Sequence, residues 1–79
     1  MSEELKAAAA EVVRVTADVE ALTSSVKDEE AKLIPGEPLP EAATKKLKGL
    51  EVKLHRAESE LARVKSEYDK QLAAWRYSS

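Results

Sequence analysis

Apolar residues recur at alternating spacings of three and four through both halves of the chain. The first series covers residues 5–33 and the second covers residues 43–75, and Glu29 and Gln71 are the only charged or amide side chains in them. This spacing puts the apolar side chains on one stripe of an α-helix, which is the heptad pattern of coiled coils. The sequence therefore predicts an all-α chain built from two long amphipathic helices.

All three prolines lie in the short segment between the two apolar series, at residues 35, 38 and 40. Proline has no backbone N–H and pushes the preceding residue out of the α region. We therefore expect a first helix over residues 2–34, with Ser2 as its N-cap. A proline-rich turn at residues 34–40 should follow, and then a second helix over residues 40–77 with Pro40 at its first position. Residues 1–79 would form one helical hairpin.

A short connection between long helices predicts that they pack antiparallel. One register then places each a position opposite a d position, with paired residue numbers that sum to 76, so that Val15 faces Leu61 and Met1 faces Trp75. The turn that this register requires is centred on Pro38, within the proline segment. The predicted structural core consists of Leu5, Val12, Val15, Val19, Leu22, Val26, Leu33, Leu47, Leu50, Leu54, Leu61, Val64 and Tyr68. The pattern fits a two-helix antiparallel coiled-coil hairpin, two hairpins paired in a four-helix bundle, or helices exchanged between two chains.

The composition argues against catalysis and against several ligand classes. The chain has no cysteine, and its single histidine, His55, occupies an outward-facing position. We expect no enzyme activity, cofactor, metal or small-molecule substrate. A net charge of −2 gives no basic excess for nucleic acid. No apolar run reaches the roughly 20 residues needed to span a membrane. The acidic N-terminus lacks a signal-peptide core, so we expect an intracellular, cytoplasmic protein.

Charge is distributed unevenly between the two helices. Residues 2–34 carry eight acidic and four basic residues, whereas residues 40–77 carry six acidic and nine basic residues. Opposite net charges favour pairing of the two helices. Along one flank, however, the register places Glu11 near Glu67 and Asp18 near Glu60. This acidic strip is a candidate docking site for a basic partner, or a solvated face on which salt screens the charges.

Two further surfaces are candidate sites for a partner. At the open end, Val13, Leu72 and Trp75 should gather beside Ala9, with Tyr77 close by, because exposed apolar groups that cluster often form interfaces. The alternative at the open end is that Trp75 only covers the start of the first helix. At the tip, Ile34 and Leu39 have no place in the core. They could touch a distant partner or belong to a simple helix stop.

These features favour a non-catalytic protein–protein interaction or oligomerisation module, a coiled-coil spacer or adaptor whose partner is another protein or a second copy. An alternative is a regulatory hairpin that binds a folded protein along its side. In size and shape, without a shared motif, the predicted hairpin resembles the coiled-coil fingers of Rho-GTPase effectors. A third interpretation is a nucleic-acid-contacting arm, similar in outline to the helical hairpins of seryl- and valyl-tRNA synthetases. The lysines that could contact phosphates are Lys45, Lys46, Lys48 and Lys53.

Overall fold

The computed structural model describes residues 2–78, without the side chain of Ser78. It consists of two α-helices, α1 (Glu3–Ala31) and α2 (Glu41–Ser78), packed along one another as an antiparallel hairpin. The hairpin measures 61 × 16 × 15 Å. Its radius of gyration is 17.9 Å, whereas a compact domain of this length has about 12 Å. The predicted all-α hairpin is confirmed, and the molecule is a rod.

The start of α1 is fixed by Ser2, as the sequence predicts. Ser2 is extended, with φ −71° and ψ 160°. Its Oγ accepts a hydrogen bond from the backbone N–H of Leu5 at 3.1 Å, and its carbonyl accepts one from Lys6 at 3.0 Å. Glu3 and Glu4 occupy the first turn, where the helix dipole favours negative charge.

The end of α1 comes three residues earlier than the sequence analysis places it. The helix ends at Ala31, and the N–H groups of Lys32 and Leu33 donate to carbonyls only three residues back, at 3.2 and 3.1 Å. In a continuing α-helix, the ring of Pro35 would clash with the carbonyl of Ala31, four residues before it. The proline therefore shortens α1 by a full turn, not only at the residue before it.

A tight turn reverses the chain between the helices. The N–H of Glu37 donates to the carbonyl of Ile34 at 3.2 Å, and Gly36 has a φ of +86°. Proline followed by a glycine with positive φ is the sequence of a type II β-turn. α2 then begins one residue later than predicted, because the carbonyl of Pro40 accepts the first helical bond, from Thr44 at 3.0 Å.

The core is the predicted seam, but it is thin. Every predicted core residue is at least half-buried. Among residues 2–78, only Leu5, Val15 and Val64 are fully enclosed, with 0%, 1% and 4% of their surface exposed. Two helices can cover one another on one side only, so most seam residues keep an edge in solvent. The predicted contact between Met1 and Trp75 lies outside the described residues.

Candidate interaction surfaces

The charged flank runs along the open half of the rod and contains Glu11, Asp18, Glu60 and Glu67. The structure adds two arginines to it. Arg14 binds Glu11 with Nη2–Oε2 at 2.8 Å and Asp18 with Nη1–Oδ2 at 3.5 Å, and Arg63 pairs with Glu60. Both arginines occupy outward heptad positions, which do not indicate a role on this flank, but a long guanidinium side chain still reaches its neighbours from there. The flank therefore alternates in charge and is not a bare acidic strip.

These ion pairs shift the pKa values of the charged groups on the flank. A hydrogen bond from Arg14, reinforced by its charge, lowers the pKa of Glu11, while repulsion from Glu60 across the helix pair acts in the opposite sense. A hydrogen bond from Arg63 lowers the pKa of Glu60. The same bond and the charge of Glu60 raise the pKa of Arg63, with smaller contributions from Glu11 and Glu67. The repulsion that the sequence predicts between the helices is thus present but compensated. A basic partner would have to compete with Arg14 and Arg63.

Glu29 binds the two helices together near the tip. It fills the one charged seam position, and its side chain is only 14% exposed. Its Oε1 lies 2.8 Å from Lys46 Nζ on α2 and 3.1 Å from Lys32 Nζ on α1. Hydrogen bonds from Lys46 and then Lys32 lower the pKa of Glu29. The two lysines share this carboxylate. A charged pair across a seam fixes the register because other registers leave the charge unpaired.

Some of the lysines near the tip already form ion pairs with carboxylates of the hairpin. Lys45 pairs with Glu41 at 3.6 Å and Lys46 with Glu29 at 2.8 Å. Of the four lysines considered for phosphates, two therefore have acidic partners within the hairpin. On the outer face of α2, Val52 is 50% exposed and lies beside Lys48 and His55 around a shallow depression.

The open end carries an apolar depression of about 260 Å³ lined by Ala9, Val12, Val13 and Tyr68. We refer to these four residues as the open-end patch. Val13 is 70% exposed. Tyr68 was predicted as core and is half-buried, as are most residues of the seam. Its side chain also lines the open-end patch, a second role that the heptad pattern did not indicate.

The other predicted partner residues lie outside this depression. Leu72 is half-buried, whereas Trp75 and Tyr77 are 43% and 90% exposed further along α2. At the tip, Ile34 and Leu39 are both more than half exposed. They line a cavity of about 90 Å³ within the turn. At a rise of 1.5 Å per residue, roughly 30 Å of α1 separates the tip residues from the open-end patch, about half of the 61 Å length of the rod.

Among residues 2–78, no three histidine, cysteine, aspartate or glutamate side chains are grouped so that they could hold a metal ion. Neither helix, over the same residues, has a stretch that is long and apolar enough to cross a membrane. Comparisons with protein-family models, with curated proteins and with solved structures found no match.

Proposed function

We propose that the hairpin is a non-catalytic protein–protein interaction module, a coiled-coil spacer or adaptor that binds its partner through the open-end patch. The observation that carries this proposal is its excess of exposed surface. The hairpin exposes 5989 Å², whereas a compact monomer of its mass exposes about 4,700 Å². The excess is larger than the roughly 800 Å² that each partner contributes to an interface of standard size.

The open-end patch is favoured over the charged flank on chemical grounds. Val13 is the more exposed of the two valines that lie outside the seam on the helix surfaces, and burial of its side chain removes apolar surface from water. On the charged flank, the carboxylates of Glu11 and Glu60 already have arginine partners. A new partner would gain little binding free energy there, because replacing one exposed ion pair with another changes the free energy only slightly.

The test is a capture experiment with two matched variants. The immobilised hairpin is exposed to an extract of the cells that produce it and, separately, to free hairpin. V13E and V52E are isomers of the same mass and charge, and both substitutions are at exposed helical positions. We expect wild type and V52E to retain the same specific binders and V13E to lose them, because a carboxylate at position 13 would be desolvated in the interface. Identical binding by all three proteins would contradict the proposal.

A second candidate is a regulatory hairpin that binds a small GTPase or another folded protein along its side. The arginine–carboxylate pairs favour it, since they hold the charged flank in one arrangement before binding. Charge reversal at Glu11, Asp18, Glu60 and Glu67 should then abolish binding while the circular dichroism spectrum remains helical. If the same binders were lost with V13E and retained after charge reversal, the side-binding function would be excluded.

A further inference from the structure

We infer that the partner at the open-end patch is a second copy of this chain, and that the two copies form a four-helix bundle. The two-fold axis of this bundle runs parallel to the rod. Both open ends then lie at the same end, and α1 of each copy packs against α2 of the other, so that neighbouring helices are antiparallel. This inference rests on the proposed function, because it names the partner for the same surface.

The position of the patch suits this symmetry. The seam register places Val13 at the level of residues 62–64. In the two-fold arrangement, Val13 of one copy therefore approaches Ala62 of the other copy. Ala62 is an exposed residue of α2 on the side of the hairpin that carries Val13. The open-end patches of both copies are covered at once. Each copy also has more excess surface than a standard interface requires from one partner.

The net charges of the helices favour a two-fold axis parallel to the rod over one perpendicular to it. The segment that contains α1 has a net charge of −4 and the segment that contains α2 has a net charge of +3, counted over residues 2–34 and 40–77. An axis parallel to the rod brings opposite charges together at both new helix contacts. An axis perpendicular to the rod would instead stack α1 on α1, which like charges disfavour.

Individual charges on the side of the hairpin that carries the open-end patch are also complementary between the two copies. Exposed residues of opposite sign lie within two residues of the same level on α1 of one copy and α2 of the other: Lys6 with Asp69, Lys27 with Glu51, and Glu30 with Lys48. Glu20 and Lys27 are exceptions, because Glu20 lies level with Glu58 as well as with His55, and Lys27 lies closer to the level of Lys48 than to that of Glu51. An unrelated partner would have to supply this alternating pattern, whereas a second copy already carries it.

The first experiment measures the absolute molar mass of the purified chain by light scattering over a concentration series. Wild type and V52E should approach twice the 8.7 kDa chain mass as concentration rises. V13E should remain at the mass of one chain in the same range, with self-association at least about tenfold weaker, because it buries a charge at the centre of the interface. Val13 is 70% exposed in the single hairpin, so V13E should stay helical by circular dichroism.

The second experiment tests the geometry by exchanging two charges. K6E alone and D69K alone should each weaken dimerisation by about two- to fivefold, as expected for exposed ion pairs. The double variant should recover the affinity of wild type, since it restores opposite charges at the same contact. If the double variant is no better than the single variants, the two-fold axis does not run parallel to the rod.

The outcomes separate this inference from the proposed function. A single-chain mass for wild type at every concentration would overturn self-association, while capture of an extract protein that V13E loses would still support the interaction module. A doubled mass that V13E retains would overturn the open-end patch as the dimer contact. Absence of both self-association and capture would overturn both proposals.

Discussion

The substitution V15A tests whether the seam stabilises the hairpin. Val15 is 1% exposed at the middle of the seam, and V52A removes the same two methyl groups from a residue that is 50% exposed. At about 0.8 kcal/mol for each buried methylene-sized group, V15A loses about 1.6 kcal/mol of burial and V52A about half of that. Alanine is the better helix former by about 0.5 kcal/mol at both helical positions, so this gain cancels in the comparison.

A residual cavity adds to the cost of V15A, so V15A should be less stable than V52A by at least about 1 kcal/mol. The assay is urea unfolding followed by circular dichroism, at one protein concentration for both variants. The corresponding difference in Tm is about 4–8 °C for a domain of this size. Equal losses of stability in the two variants would refute the reasoning, because they would mean that Val15 is no better buried than Val52.

Three further predictions concern the turn, the ion pair near the tip and the helix cap. G36A should destabilise the hairpin by about 1–2 kcal/mol, since Gly36 has a φ of +86°. G49A in α2 should stabilise it by up to about 1 kcal/mol, because the added methyl group would meet no side chain or neighbouring helix within 4 Å. Thermal unfolding that shifts in the same direction for both variants would contradict this. The lowered pKa of Glu29 means that its ionised form contributes stability that is complete above its ordinary pKa of 4.5 and is lost as pH falls through the lowered value. Wild type should therefore lose more stability than E29Q on acidification from pH 7, and parallel stability–pH curves would exclude a role for this carboxylate. S2A should cost about 1 kcal/mol and increase amide exchange in the first turn of α1, and unchanged exchange there would show that the cap is dispensable.

Most of the fold could be predicted because one repeat determines both the helices and their register. The heptad series identified every seam residue from Leu5 to Tyr68, and the register needed a turn where the prolines lie. The end of α1 was missed because Pro35 acts on the carbonyl four residues before it, at Ala31, as well as on its immediate neighbour. That effect is local and could have been read from the sequence.

The candidate surfaces could be predicted less completely. The heptad position of a residue indicates the direction of its Cα–Cβ bond. It therefore placed Val13 on an exposed face. It does not give the reach of a side chain, and Arg14 and Arg63 therefore entered the charged flank only when the structure was known. Tyr68 is a similar case, because it belongs to the seam and its side chain also lines the open-end patch.

The most direct test of this account is the distance between two spin labels on one chain. Because the chain has no cysteine, A17C and S59C provide unique label sites at exposed positions that the register places level with one another. The doubly labelled chain is diluted in an excess of unlabelled chain and measured by electron–electron double resonance. A hairpin closed on itself, with helix axes 8–10 Å apart, predicts a distance of about 15–30 Å. A distance near 60 Å, the span of about 40 helical residues, would show that the helices are exchanged between chains and would contradict the account.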